Sequence, residues 1–377
     1  MIAKKMVKFV EGSSVTRAMF EEGKKMAVEF GAENVYDFSL GNPSVEPPKQ
    51  VKEAIIETLN EDAPNFVHGY MNNSGYEEVR ERIAQSLNRR FDTKFSQNNI
   101  IMTVGAAGGL NVALKTLLDP GDEVIAFAPY FGEYNNYVAN FDGVMVVVPA
   151  DVPSFQLDLE TFAKKITAKT KAVIVNNPNN PTGKKLDQTY LRCLLEHCRE
   201  KNITVVLDEC FIEFCEGECS IISESKEYEH LLIVRAFTKI YAIPGVRLGY
   251  LIGSDPLLLE KIKRHLPEWN LSTFAQKAGI ACVKERGYIE ETVKYLKDER
   301  EYLIKELRAM GIMVFAGEAD FVLIYTKKPL YAYLLTHGIL IRDCRNFKGL
   351  TEGYYRIAIK SHKDNQRLLK AIGECNE

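Results

Sequence analysis

Two periods govern the hydrophobic pattern of this chain. Val79, Ile83 and Leu87 recur at helical spacing, whereas Ile100–Val104 is a short, unbroken apolar run, the pattern of a strand covered on both faces. The two patterns then alternate. A helix is predicted from about Ala107 to Leu118, closed by the turn residues Asp119-Pro120-Gly121, and a strand begins at Glu123. Further strands are predicted at Val144–Val148, Ala172–Val175, Thr204–Leu207, Leu231–Val234 and Leu248–Ile252, with a helix over Asp187–Glu200. Short apolar strands alternating with helices predict an α/β fold with a parallel sheet covered on both faces. Such sheets bind ligands outside the carboxyl ends of their strands.

The C-terminal part changes character. A long charged helix over about Tyr288–Met310, strands near Phe321–Tyr325, Ile339–Arg342 and Tyr355–Ile359, and a closing helix from Lys363 predict a smaller α+β unit. Because the intervening chain reads as one continuous unit, the N-terminal residues are expected to pack with this second one. The expected organisation is a large domain over 46–284 and a small domain formed by 1–45 and 285–377.

Composition narrows the function. The 377 residues carry 48 Lys+Arg against 51 Asp+Glu, a net charge of −3, which lacks the positive excess of a nucleic-acid binder. No apolar run approaches the roughly 18 residues of a membrane span. Met1 to Val10 has lysines but no apolar core after them, unlike a secretory leader. The eight cysteines form no C-x-x-C pair, so neither a zinc pattern nor a disulfide framework is expected. These features predict a cytoplasmic protein with buried reduced thiols and no metal.

Four loops after predicted strands carry the chemistry. Gly105-Ala106-Ala107-Gly108-Gly109 opens a helix, where small residues and free N–H groups suit an anion; a tight turn without ligand has the same composition. Asn176-Asn177-Pro178-Asn179-Asn180-Pro181-Thr182-Gly183 sets amide donors at a strand's end, although a generic turn uses the same residues. Asp208, in Leu207-Asp208-Glu209-Cys210-Phe211, ends an apolar strand, where a carboxylate is costly to bury without a cation; a structural carboxylate is the alternative, and no histidine cluster supports a metal. In Thr238-Lys239-Ile240-Tyr241-Ala242-Ile243-Pro244-Gly245-Val246-Arg247, a desolvated lysine can bond an aldehyde and Arg247 can hold a phosphate, although an isolated lysine is usually a surface charge.

Taken together, an anion cup, an amide donor, a buried carboxylate and a lysine beside an arginine are the groups that pyridoxal 5'-phosphate requires. The lysine binds its aldehyde, and the carboxylate keeps the pyridine nitrogen protonated so that the ring can accept electrons.

The motifs N-N-P-N-N-P-T-G, D-E-x-F and T-K-x-x-x-x-P-G-x-R-x-G resemble those of the class I/II aminotransferases, the fold-type I pyridoxal-phosphate enzymes, and the resemblance spans nearly the whole chain. It implies a mostly parallel seven-stranded sheet, with the small domain closing over the substrate. It also implies transfer of an amino group between an L-amino acid and a 2-oxo acid by a ping-pong mechanism.

Position by position, Lys239 matches the Schiff-base lysine, Asp208 the partner of the pyridine nitrogen and Asn180 the donor to the ring's phenolic oxygen. Ala106 and Ala107, aided by Thr238 and Arg247, match the phosphate-binding groups, and Phe131 matches the ring-stacking aromatic. Tyr70 resembles the tyrosine that reaches the neighbouring subunit's phosphate, which implies a homodimer. Gly41, in Ser39-Leu40-Gly41-Asn42-Pro43, resembles the loop over the substrate, and Arg356 matches the clamp on the substrate carboxylate.

Departures from that pattern bear on the substrate. Phe211 stands where many aminotransferases have Tyr, so one donor to the ring oxygen is missing and the Schiff-base proton should be held more tightly. Ala236 replaces a common hydroxyl residue. Asp208–Phe214 and Ile341–Phe347 look more like the threonine-phosphate decarboxylase and histidinol-phosphate aminotransferase branch, whereas Ser39–Pro43 and His68–Arg80 look more like aspartate aminotransferases. The alternative function is therefore decarboxylation of a phosphorylated amino acid, or transamination of histidinol phosphate. Arg342 and Arg345 would form its second anion site, unless they are surface arginines.

Overall fold

The computed structural model describes residues 7, 15–41, 44–285 and 287–375. The stretch Met1 to Val10, Val7 apart, and the Asn42-Pro43 pair of the Ser39 loop lie outside the described residues. In chain order the strands are β1 (Tyr36–Asp37), β2 (Ile100–Thr103), β3 (Glu123–Phe127), β4 (Val144–Val148), β5 (Thr170–Asn176), β6 (Thr204–Asp208) and β7 (Leu231–Ala236). There follow β8 (Gly249–Gly253), β9 (Met313–Phe315), β10 (Phe321–Tyr325), β11 (Ile339–Leu340), β12 (Arg342–Asp343) and β13 (Tyr354–Ala358).

Seven strands form the large sheet in the order β2-β8-β7-β6-β5-β3-β4. The neighbours from β7 through β4 run parallel, and β8 is antiparallel to both β7 and β2. The fold is therefore α/β with the expected mostly parallel seven-stranded sheet, in which β8 is the antiparallel strand.

Strand alternation sorts the apolar residues onto the two faces. Val173, Val175, Val205, Leu207, Leu231 and Ile233 pack with Val79, Ile83 and Leu87 and with Leu191, Leu194 and Leu195. Ala172, Ile174, Val206, Leu232 and Val234 face Leu110, Leu114, Leu259 and Ile262 on the other side. Each such side chain contributes about 1.5–3 kcal/mol on burial. Helix starts are fixed locally: the Asp187 side chain accepts from the Thr189 N–H at 2.7 Å, opening the helix Gln188–Glu200.

A second, antiparallel sheet has the order β12-β13-β10-β9. Leu303 and Leu307 of the helix Tyr288–Ala309, and Leu368 and Ile372 of the helix His362–Glu374, cover it with Val322, Ile324 and Ile357. The segment predicted as one strand, Ile339–Arg342, is divided. Ile339–Leu340 pairs in parallel with Tyr36–Asp37, whereas Arg342–Asp343 pairs with β13. Phe38 continues the bridge, donating to the Leu340 carbonyl at 2.7 Å and accepting from the Ala358 N–H at 2.9 Å. This bridge carries Ser39–Gly41 to the carboxyl ends of the large sheet.

Candidate active site

The carboxyl ends of β2, β3, β5, β6 and β7 open into a cavity of about 800 Å³. Ala106, Ala107, Phe131, Asn180, Asp208, Thr238, Lys239, Arg247, Gly41 and Arg356 all line it. Tyr70 does not. It lies outside the cavity, 84% exposed, with its ring stacked on Trp269 at 4.3 Å.

At the floor, Asp208 ends β6 and is buried. Its Oδ2 accepts from the Tyr134 hydroxyl at 2.6 Å and its Oδ1 from the Cys210 N–H at 3.1 Å. Burial pushes the carboxyl's pKa up, and these two bonds oppose the rise. A ring N–H cation placed against the carboxylate would complete its neutralisation. Phe131 stands edge-on to Tyr134 at 5.8 Å, presenting a ring at the cavity wall.

The helix Gly105–Leu117 starts at the cavity with no side-chain cap, so its first N–H groups and its dipole are available to an anion. Gly105 has φ +65°, and a Cβ there would stand 2.8 Å from Arg247 Nη2. Glycine is what lets the guanidinium approach the turn. Arg247 makes no ion pair with a described carboxylate; its Nη1 donates to the Pro244 carbonyl at 3.0 Å. Thr238 is buried at the same wall.

The asparagine-rich loop divides its labour. Asn176 Nδ2 donates to the Asp208 carbonyl, Asn177 Nδ2 to the Cys219 carbonyl and Asn179 Nδ2 to the Pro129 carbonyl. Three of the four expected amide donors thus hold the loop together. Asn180 Oδ1 accepts from Arg356 Nη1 at 2.6 Å, and Arg356 Nη2 donates to the Ser39 carbonyl at 2.7 Å. Arg356 is thereby fixed by neutral acceptors, with its buried Nε unpartnered.

Lys239 Nζ donates to the Gly41 carbonyl at 2.8 Å. Desolvation lowers its pKa, Asp320 opposes that, and Arg356 and Arg247 add to the lowering. A lysine so placed is a nucleophile toward an aldehyde. An uncapped helix start with an unpaired arginine for a phosphate, an aromatic wall, a buried carboxylate for a ring nitrogen and a desolvated lysine together fit pyridoxal phosphate.

The family description "Aminotransferase class I and II" matches residues 33–372. The chain belongs to the class I and II aminotransferases. Members of this family depend on pyridoxal phosphate. A histidinol-phosphate aminotransferase of Methanosphaera stadtmanae is 30% identical over 381 residues, covering 96% of this chain and 99% of that one. A threonine-phosphate decarboxylase of Salmonella typhimurium is 33% identical over 217 residues, 56% of this chain and 60% of that one. The aspartate aminotransferase of Thermus thermophilus solved with maleate superposes with a TM-score of 0.90 at 25% identity, covering 99% of both chains. The fold is accordingly that of the fold-type I enzymes.

The two arginines offered as a second anion site part company at the aminotransferase site. Arg342 is not a surface residue: it is 7% exposed, lines the cavity, and is held by the Asp343 carbonyl at 2.8 Å and Asn346 Oδ1 at 2.9 Å. It lies directly across the β12–β13 pair from Arg356. Arg345 is exposed and spends its charge on Asp343 at 2.6 Å. Glu209 does not face the cavity; it is buried against Arg235 at 2.7 Å. No disulfide joins the eight cysteines, of which five are buried, Cys193 is exposed and Cys210 lines the cavity. Among the described residues, Cys215, Cys219 and Glu318 bring their ligand atoms within 4.8 Å of one another. The Lys185 ammonium already lies 2.8 Å from Glu318 and 3.9 Å from the Cys219 sulfur.

Tyr134 and Asp320 are residues of this site that the sequence motifs did not single out. Tyr134 sits in a polar stretch with no distinguishing pattern. Asp320 adjoins the apolar strand β10, and the rule that drew attention to Asp208, an acid bordering a buried strand, applies to it equally.

Proposed function

We propose that this chain is a pyridoxal-phosphate-dependent transaminase that moves an amino group between an L-amino acid and a 2-oxo acid in two half-reactions. The observation that carries the reading is the pair of cavity-lining groups Lys239 and Arg356, with Asp208 on the same cavity. When bound, the cofactor supplies an aldehyde for the amino group and a ring that accepts electrons from the substrate Cα. Asp208, held by Tyr134, keeps the proton on the ring nitrogen. The N–H groups of Ala106 and Ala107, with Thr238 and Arg247, bind the phosphate. Phe131 would stack on the ring and Asn180 would donate to its phenolic oxygen.

Arg356 orients the substrate carboxylate through its two-pronged guanidinium, beneath the Gly41 loop. Lys239 Nζ would hold and move the substrate Cα proton, acting as base and then acid. Residues 46–284 act as the large domain, with 1–45 and 285–377 as the small domain that excludes water. Two copies form a homodimer in which the exposed Tyr70 reaches the neighbouring phosphate. The absence of disulfides is consistent with a cytoplasmic setting.

One observation favours a narrower substrate. Like charges directly across a strand pair repel, yet Arg342 and Arg356 are both buried and opposed. A phosphate held between the two guanidinium groups, or a phosphate and a carboxylate on one substrate, would relieve that repulsion. We infer a phosphorylated amino compound, transaminated as histidinol phosphate would be or decarboxylated as threonine phosphate would be. Incubation of the cofactor-loaded protein with plain and phosphorylated amino acids tests both levels. Oxo acid without CO₂ supports transamination, CO₂ supports decarboxylation, and neither product from any substrate overturns the enzymatic reading.

A further inference from the structure

Asp320 is 2% exposed, and among the described residues neither of its carboxylate oxygens has a hydrogen-bond partner. A buried carboxylate in that state is costly unless a charge or a ligand compensates it. Its backbone is pinned: the Ile359 N–H donates to its carbonyl at 2.8 Å, and Arg300 binds the neighbouring Ala319 carbonyl at 3.1 Å.

Its neighbours are the groups of the active site. A Cβ on Gly41 would stand 3.5 Å from Lys239 Nζ and 3.8 and 3.9 Å from the two Asp320 oxygens. Lysine and aspartate thus both approach the open side of Gly41, where a side chain would stand, without forming a direct ion pair. The charges acting on Asp320 are Lys239, Arg356 and Lys360. Those acting on Lys239 are Asp320, Arg356, Cys210 and Arg247, and Asp37 acts on both Arg356 and Lys360. Asp320 is therefore the carboxylate acting on Lys239, against two arginines that would drive its proton off.

We propose that Asp320 is a positioning residue whose carboxylate holds the proton on the nitrogen at Lys239. This rests on the reading of Lys239 as the cofactor lysine. The anion favours the charged form of that nitrogen by through-space attraction. Phe211, near the same nitrogen with Lys239 Nζ 5.8 Å from its ring centroid, brings no hydroxyl to counter this. The protein thus presents a cationic, electrophilic centre to an incoming amine through neutral pH.

The test is a pH titration of the visible absorbance band of the cofactor-loaded protein, which reports whether the nitrogen bonded at Lys239 carries a proton. The wild type is expected to keep the protonated band through neutrality. Asp320→Asn removes the charge at nearly constant shape and breaks no side-chain hydrogen bond; its midpoint should fall by about one to three units. Asp320→Glu should restore the high midpoint. A wild-type nitrogen already deprotonated at neutral pH overturns the proposal, even if Asp320→Asn does not fold. An unmoved midpoint in Asp320→Asn overturns it as well. In both cases the band itself shows that the cofactor reading survives. No band at all, with nothing trapped on Lys239 by borohydride, overturns the cofactor reading and this proposal with it.

Discussion

The Tyr134 hydroxyl donates to Asp208 Oδ2 at 2.6 Å, deep beneath the cavity. Asp208 must stay ionised to hold a ring N–H, and burial works against that. The phenol opposes the burial together with Cys210, which acts through both its thiol and its N–H. Tyr134→Phe keeps the ring packing and removes that donor. Hydrogen bonds to charged groups are worth about 1.5–3 kcal/mol, so kcat/KM should fall by roughly 10- to 100-fold. Steady-state kinetics with a matched thermal melt checks this; a large loss of Tm would mean that Tyr134 is mainly a core residue.

The opposed arginines make separable predictions. Arg356→Lys keeps a charge but loses the planar fork, and should lower kcat/KM by about 100-fold for every substrate. Arg342→Gln should be as damaging for a phosphorylated substrate and change plain amino acids less than about threefold. Substrate-by-variant kinetics decides it. Equal losses from Arg342→Gln on both substrate classes would make it structural and remove the case for a second anion.

Much of this architecture is legible in the chain, because short apolar runs and helical spacing report burial directly. Val144–Val148 and Phe321–Tyr325 have the predicted bounds. What burial does not report is direction or partner. Leu248–Ile252 reads like its parallel neighbours, yet β8 runs the other way. Ile339–Arg342 reads as one strand, but its residues are shared between two sheets. At the site, the four motif loops gather because each follows a strand of the large sheet, whereas Gly41 and Arg356 reach the cavity from β1 and β13 and Tyr70 stays outside it. Arg342 was legible only as a charge; its burial follows from pairing with β13, a long-range contact. Three asparagines that look like ligand donors instead tie the loop to carbonyls of neighbouring segments, those of Asp208, Cys219 and Pro129.

Acid stability should trace a network away from the cavity. Buried Arg235 bonds Glu209 at 2.7 Å and Glu213 at 3.3 Å, and Arg90 also pairs with Glu213. Burial would raise the Glu213 pKa, but Arg90 and Arg235 outweigh it and the net shift is downward. A carboxyl with a depressed folded-state pKa stabilises the protein above its unfolded value, near 4.5, and loses that contribution as pH falls through the folded one. Glu213→Gln should therefore be less stable than wild type at neutral pH, with the gap closing below about pH 4. Denaturant melts across that range check the slope. A gap that widens in acid would contradict the assignment.

Removing Arg235 should be more severe. Arg235→Met leaves Glu209 buried without its cation, a defect of about 3–5 kcal/mol. The double change with Glu209→Gln should recover part of it, which chemical denaturation of the two variants would show.

The central claim is that Lys239 is the amine that bonds the cofactor. Borohydride reduction of the pyridoxal-phosphate-loaded protein, followed by peptide mass mapping, tests it most directly. The cofactor should be fixed at full occupancy on the peptide containing Lys239, and Lys239→Ala should retain none. Label on a different lysine, or undiminished trapping in Lys239→Ala, would contradict the account.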